Sequence, residues 1–103
     1  MKMDAEYRDK ILYIRLQGEM DEHGAAALRR EADKLTDRYV MNIEKAVFDL
    51  KEISFMDSTG IGFLIGRYKK FNRYGVPVYI TNASLATERI LSMSGIYTLM
   101  QKI

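Results

Sequence analysis

The spacing of apolar residues changes along this chain, and the change constrains the fold more than any other feature. From Leu12 to Leu16 every second residue is aliphatic, which predicts a half-buried strand over residues 11–20. From Leu28 to Tyr39 the apolar residues instead recur every three or four positions, which predicts an amphipathic helix. The chain therefore mixes strand with helix, as an α/β fold requires.

Turn signals and shorter apolar runs extend this pattern. Residues 3–7 alternate with period two and predict a strand that pairs back on the first through a turn at residues 8–10. The long helix should end near Asn42, a residue that tolerates helix exits. Residues 46–50, AVFDL, form an apolar run bounded by charges and predict a strand buried on both faces.

The second half of the chain repeats helix and strand. The segment of residues 55–71 predicts a helix that begins after Ser58 and ends at Gly75. Its buried face carries Ile61, Leu64, Ile65, Tyr68 and Phe71. Residues 76–80, VPVYI, predict another strand. Ser84 is suited to cap a third helix that stops at Gly95 and turns inward Ala86, Ile90 and Met93.

The order of these elements predicts an α/β fold in which crossover helices pack on a sheet. Residues 97–103 fit either a closing strand or a final helical turn. A length of 103 residues corresponds to about one domain, so we expect residues 1–103 to form a single unit.

Composition excludes several classes of function. The 16 Lys and Arg nearly balance the 14 Asp and Glu without forming a basic stripe, so nucleic acid is not an expected partner. The absence of Cys removes disulfides, thiolate nucleophiles and Cys-based zinc sites. The N-terminal residues have no apolar secretory core, and uncharged stretches such as Ser58–Gly66, or the 14 residues from 74 to 87, are too short to span a membrane. We therefore expect a cytoplasmic protein that does not bind membranes.

Few residues offer catalytic chemistry. His23 is the only histidine, and alone it forms neither a metal cluster nor a catalytic triad, so a surface position is expected. Asp49 lies in an apolar strand without an identifiable partner, which favours a structural role over a catalytic one. Gly60, Gly62 and Gly66 depart from the dinucleotide-binding spacing and lack a following Lys-Ser/Thr, so they indicate nucleotide binding only weakly.

The glycines near the start of the second helix still need an explanation. Gly62 and Gly66 are four residues apart and leave one helix face without side chains. Packing against the protein's own sheet and docking of a partner explain that face equally well. Phe63 and Arg67 flank it in sequence, and both residue types are common interface anchors.

Ser58 precedes the same helix and has two interpretations. From the residues alone, a role as N-cap is favoured over a reactive role. A serine at an exposed helix start is also a good phosphoacceptor, because the helix dipole tolerates the added negative charge.

Three segments resemble a known family: GEMD at residues 18–21, VFDLKEISFMDSTGIGFLIGRYK at residues 47–69 and LSMSGI at residues 91–96. They are similar to the STAS-domain anti-sigma factor antagonists, and the GRYK ending is similar to the sporulation branch. The resemblance implies a STAS fold with a four- or five-stranded mixed sheet. It also implies a non-enzymatic anti-anti-sigma factor without a cofactor.

The resemblance implies a mechanism of partner exchange. The unphosphorylated protein would bind an anti-sigma factor that is a serine kinase with a histidine-kinase-like ATPase fold, and so release the sigma factor, sigma F in sporulation. Phosphorylation of Ser58 would end that binding, and a PP2C-like phosphatase would restore it. We expect a monomer whose partner surface comprises Asp21, Asp57, Ser58, Thr59, Gly62, Phe63, Gly66 and Arg67.

The sequence departs from this family at several positions. Gly24 replaces a frequent Thr at the start of the first helix, which predicts a weaker cap there. Thr59 replaces a frequent second Ser and is an alternative phosphosite, and relatives usually continue beyond Ile103 into another helix. Two alternatives stay open: a nucleotide-binding STAS module, and a subunit of a larger stress-signalling assembly.

Overall fold

The chain forms a five-stranded mixed sheet with three helices, as the α/β prediction requires. The computed structural model describes all residues from 1 to 103. The strands lie in the order β1-β2-β3-β4-β5; β1 is antiparallel to β2 and the other pairs are parallel. The bounds are β1 Lys2–Arg8, β2 Ile11–Met20, α1 Glu22–Tyr39, β3 Lys45–Met56, α2 Ser58–Asn72, β4 Val78–Thr81, α3 Leu85–Ser94 and β5 Gln101–Lys102.

The first two strands form the predicted hairpin. Asp9 and Lys10 make the turn with φ of 53° and 64°, the left-handed backbone that two-residue hairpin loops require. Strand β1 lies at the edge of the sheet, so its outer side has no pairing partner. Its alternate positions are charged and exposed, namely Lys2, Asp4, Glu6 and Arg8.

The three helices pack on one face of the sheet. Aliphatic and aromatic side chains at alternate strand positions, such as Leu12, Phe48 and Ile80, join helix residues such as Leu64 and Leu91 in one buried cluster. The opposite face is covered by the sheet's own side chains. Val47 lies between Tyr13 and Tyr79 in register and is only 1% exposed, so β3 is buried on both faces there.

Strand β3 is longer than the five residues predicted. It continues to Met56 because β2 stays paired with it across two register irregularities, and the last pair is Met20 with Met56. Residues 51–56 are mostly exposed and include two charged side chains, so the apolar pattern ends before the strand does.

Helix α3 turns a different face inward from the one predicted. Thr87 and Leu91 are buried, whereas Ala86 and Met93 are exposed and Ile90 is half-buried. Burial of Thr87 is possible because its hydroxyl accepts a hydrogen bond from Ser84 Oγ at 3.1 Å. The expectation that Ala86 and Met93 point into the core is therefore wrong, whereas Ile90 packs against the core while partly buried.

Both ends of α3 agree with the sequence. Ser84 caps the helix by accepting the N–H of Thr87, and Gly95 ends it with a φ of 78°. The chain then makes a 3-10 turn, Ile96–Thr98, before β5. The last residues therefore contain both a helical turn and a closing strand, the two alternatives that the sequence allows. None of the three helices combines the length and the apolar character needed to cross a membrane.

Candidate functional site

Helix α2 begins at Ser58, directly after β3 ends. Asp57 has an extended backbone, and its Oδ1 accepts a hydrogen bond from the backbone N–H of Thr59 at 2.9 Å. Asp57 is therefore the N-cap, and the expectation that Ser58 caps this helix is wrong, because the helical backbone already begins at Ser58. The Ser58 side chain is exposed and is not used in capping.

Asp57 also engages the backbone amides of the first helical turn. Its backbone oxygen accepts from the N–H groups of Gly60 and Ile61 at 3.0 and 3.3 Å. A helix start binds an anion through free amides. Because those of Thr59, Gly60 and Ile61 are already bonded to Asp57, this arrangement does not favour the nucleotide-binding alternative.

Asp21 lies beside Asp57 at the same end of the sheet. The pairing of Met20 with Met56 places the two aspartates directly after neighbouring strand ends. Asp21 caps α1 by accepting the N–H of Gly24 at 2.9 Å. The structure thus brings Asp21 close to the start of α2.

Two of the glycines at this end are required by close packing. A Cβ on Gly60 would lie 2.7 Å from Met56 Cγ and 3.0 Å from Met20 Cβ, so this glycine lets α2 approach both strand ends. A Cβ on Gly24 would collide with the backbone oxygen of Glu19. The expectation of a weaker cap at Gly24 is wrong, because Asp21 supplies the capping oxygen and Gly24 only its N–H.

Gly62 and Gly66 have a different environment. A Cβ on either glycine would have no neighbouring atom within 4 Å. The bare face of α2 therefore points away from the protein's own sheet. Of the two explanations that the spacing left open, packing applies to Gly60, whereas Gly62 and Gly66 form an open surface.

Phe63 and Arg67 do not flank that open surface. Phe63 is 2% exposed and Arg67 is 7% exposed, so neither is an exposed anchor. Both are buried because α2 packs against α1 as well as against the sheet, and the Arg67 charge is paired with Asp33 of α1. Of the predicted sheet-facing residues, Ile61, Leu64 and Phe71 are buried, whereas Ile65 and Tyr68 are only partly so.

The Arg67–Asp33 contact is an ion pair across the two helices. Arg67 Nε and Asp33 Oδ1 are 2.9 Å apart, but their geometry is not that of a hydrogen bond. Burial lowers the pKa of Arg67, while the negative charge of Asp33 opposes that shift. The guanidinium also lies 5.0 Å from the centre of the Phe63 ring. Arg67 thus joins the helices instead of facing a partner.

An apolar cleft adjoins Ser58. It has a volume of about 300 Å³ and is lined by Ser58, Ile61, Ile90, Met93 and Ser94. The apolar pattern predicts Ile90 and Met93 in the core and does not single out Ser94. The apolar pattern alone could not identify them, because it does not show which of two helix faces is buried.

The remaining candidates have structural positions. Asp49 Oδ1 accepts from the N–H of Lys51 at 3.0 Å and from Asn82 Nδ2 at 3.2 Å, and its other oxygen lies 3.7 Å from Arg15. His23 is exposed on the first turn of α1. No group of three or more His, Cys, Asp or Glu side chains is arranged to hold a metal ion.

Comparison with known proteins identifies the family. A family model described as a STAS domain matches residues 2–103. An anti-sigma F factor antagonist from Paenibacillus polymyxa is 33% identical over 100 residues, which cover 97% of this chain and 84% of the relative.

Two solved structures share the fold. The anti-sigma factor antagonist SpoIIAA in its unphosphorylated form has a TM-score of 0.80 at 22% identity, covering 99% of this chain and 88% of that one. The Bacillus cell fate determinant SpoIIAA in the phosphorylated form has a TM-score of 0.72 at 22% identity, covering 99% and 91%. The fold likeness confirms the predicted mixed sheet with three packed helices. The chain belongs to the STAS domain family, among the anti-sigma factor antagonists, which are non-enzymatic regulatory proteins.

Proposed function

We propose that this chain is an anti-sigma factor antagonist that is switched off by phosphorylation of Ser58. Its unphosphorylated form binds an anti-sigma factor serine kinase with a histidine-kinase-like ATPase fold and so releases a sigma factor, sigma F of sporulation. The observation that supports this most is the exposed Ser58 hydroxyl at the first position of α2, beside an apolar cleft. The relationship to an anti-sigma F factor antagonist supplies the partner class.

The proposed partner surface is continuous around Ser58. It combines the open backbone at Gly62 and Gly66 with the apolar cleft formed by α2 and α3. Asp21, Asp57 and Thr59 form its polar side at the strand ends. Phe63 and Arg67 are left out of the direct contacts, because both are buried; they support the surface by fixing α2 on α1.

A phosphate on Ser58 would oppose binding without disturbing the fold. It adds about two negative charges at neutral pH. Asp57 already occupies the neighbouring amides, so the phosphate would project from the helix and not replace the cap. Enclosing that charge against Ile61, Ile90 and Met93 would carry a desolvation penalty of several kcal/mol.

The remaining parts of the proposal follow from this switch. A PP2C-like phosphatase would remove the phosphate and restore binding. We place the chain in the cytoplasm, as a single STAS domain over residues 1–103 that acts as a monomer. Nucleic acid and membranes are not proposed as partners.

Intact mass after incubation with a cognate anti-sigma factor kinase and ATP tests the proposal. Wild type should gain one phosphate and Ser58→Ala none. Ser54→Ala is a matched control, because Ser54 is also exposed but lies within β3, and it should be phosphorylated like wild type. A phosphate on Ser58→Ala would direct attention to Thr59, and its absence from wild type would contradict the switch.

A binding measurement separates the effect of a negative charge at position 58 from the effect of losing the hydroxyl. Ser58→Ala should bind the kinase and resist inactivation, whereas Ser58→Asp should bind at least about tenfold more weakly because of its negative charge. Equal binding by the two variants would contradict the electrostatic account.

A further inference from the structure

We infer that the thioether of Met93 is an oxidation site that controls the Ser58 surface. This inference rests on the proposed function, since it concerns binding at the same cleft. Met93 is 88% exposed and lines the cleft together with Ser58, Ile61 and Ile90. It therefore adds a second chemical group, besides the serine hydroxyl, through which the surface can be modified.

The other methionines differ from Met93 in exposure or in position. Met20, Met56 and Met100 are at most 2% exposed, and Met1 and Met3 pack against the core. Met41 is 77% exposed, but it follows α1 and belongs to a different cleft from Ser58. Because oxidation follows accessibility, Met93 and Met41 are the two expected sites of attack, and only Met93 adjoins Ser58.

Hydrogen peroxide is the oxidant proposed. The Met93 sulfur attacks one peroxide oxygen, so that an S–O bond forms as the O–O bond breaks. The departing hydroxide takes the proton from the transferred oxygen and leaves as water. The sulfur loses two electrons and the peroxide gains two. Methionine sulfoxide reductases reverse the change, so the modification can act as a switch.

The sulfoxide would weaken binding for a reason that differs from phosphorylation. A thioether is apolar and flexible, whereas a sulfoxide carries a strongly polar oxygen. Beside Met93, Ile61 and Ile90 offer that oxygen no hydrogen bond, and the Ser94 hydroxyl already donates to the backbone oxygen of Leu91, so Ser58 is the one remaining side-chain donor of the cleft. Enclosing a strongly polar oxygen against the two isoleucines should weaken kinase binding by about tenfold to 100-fold. This effect carries no net charge and should persist at high salt.

The test compares wild type, Met93→Leu and Met41→Leu, each before and after mild treatment with hydrogen peroxide. Peptide mass mapping reports which methionine has gained oxygen, and binding to a cognate anti-sigma factor kinase is measured with the oxidant removed. Oxidation should weaken binding of wild type and of Met41→Leu by at least about tenfold, and methionine sulfoxide reductase should restore it. The affinity of Met93→Leu should not change on treatment, whatever its starting value.

The outcomes distinguish this inference from the function on which it rests. Wild type that binds before treatment and binds equally well with Met93 oxidised overturns the inference alone. An equal loss in treated Met93→Leu also overturns it, because the damage would then lie elsewhere. Absence of binding by untreated wild type overturns the proposed function, and the inference with it.

Discussion

Asp21 and Asp57 hold equivalent positions at the ends of two neighbouring parallel strands. Each follows the last paired residue of its strand, and each accepts a backbone N–H at 2.9 Å as the N-cap of the next helix. The starts of α1 and α2 therefore lie side by side, with two carboxylates fixed by the backbone. Both carboxylates on this side of Ser58 are therefore engaged in capping.

Loss of either capping carboxylate should reduce stability by a similar amount. We expect Asp57→Ala to lower the free energy of unfolding by about 1 kcal/mol, and Asp57→Asn to lower it by much less, since an amide oxygen also caps. Urea unfolding gives both values. Asp21→Ala is the matched control in α1 and should resemble Asp57→Ala. Equal losses for the Ala and Asn variants of Asp57 would contradict the capping role.

Replacing the glycines of α2 with alanine should change the stability of the fold in opposite directions. Gly60→Ala should destabilise by about 1–2 kcal/mol, because the new Cβ would meet Met20 and Met56. Gly62→Ala and Gly66→Ala should each stabilise by about 0.5–1 kcal/mol, because the added methyl groups lie in open space and alanine favours the helix. Thermal unfolding of the three variants tests this, and a common sign for all of them would contradict it.

The same substitutions separate stability from binding. Because Gly62 and Gly66 are part of the proposed partner surface, the two stabilised variants should bind the kinase more weakly than wild type. Stabilised variants that bind with unchanged affinity would remove these glycines from the surface.

The ion pair between α1 and α2 should show coupling between its partners. Asp33→Ala leaves the buried Arg67 charge without its closest partner and should cost about 2 kcal/mol, less than the roughly 3–5 kcal/mol of a fully buried pair, because Asp33 is one-third exposed. Adding Arg67→Met should recover part of that loss. Unfolding of both single variants and the double variant completes the cycle. Additive effects would contradict the pairing.

Glu88 should stabilise the fold near neutral pH and lose that effect at acid pH. Hydrogen bonds from Lys102 and Tyr97 lower the pKa of Glu88 below its ordinary value of 4.5. The carboxylate therefore contributes stability above that value, and the contribution is lost as the pH falls through the lower, folded-state pKa. Unfolding of Glu88→Gln and wild type as a function of pH should show the largest difference near neutral pH and little difference at the acid end. A difference independent of pH would contradict this linkage.

Tyr97 supplies a second readout of the same contact. Burial raises the pKa of its phenol, and the hydrogen bond to Glu88 raises it further. In wild type the phenolate absorbance of Tyr97 should therefore appear at higher pH than that of an exposed tyrosine. Glu88→Gln should shift it to lower pH, because the neighbouring negative charge is removed.

Sequence patterns predict the elements whose formation depends on residues close together in the chain. The β1–β2 hairpin, the strand from Ala46 and the caps of α3 were predicted because alternation and turn residues act locally. The inward face of α3 was missed because Thr87 reads as polar. Thr87 is buried because its hydroxyl contacts that of Ser84, and a pattern of apolar residues does not predict such a contact.

The candidate site shows the same limit. Ser58 is a candidate phosphoacceptor from its place at a helix start, and the family resemblance adds Asp21. An open backbone at Gly62 and Gly66 is one of the two explanations that their spacing allows. The burial of Arg67 could not be predicted, because it depends on Asp33 in another helix. The requirement for glycine at position 60 likewise could not be predicted. It arises from Met20 and Met56, which the pairing of β2 with β3 brings next to α2.

The unpaired outer side of β1 also bears on association between copies of the chain. If two β1 strands paired antiparallel about Ala5, Lys2 would face Arg8 and Asp4 would face Glu6. Like charges directly opposite one another destabilise a strand pair. A slip by two residues creates opposite-charge pairs but shortens the ladder and sets Asp4 or Glu6 against its own copy. The order of charges in one short edge strand thus disfavours the symmetric pairings that keep the same face of β1 towards its copy.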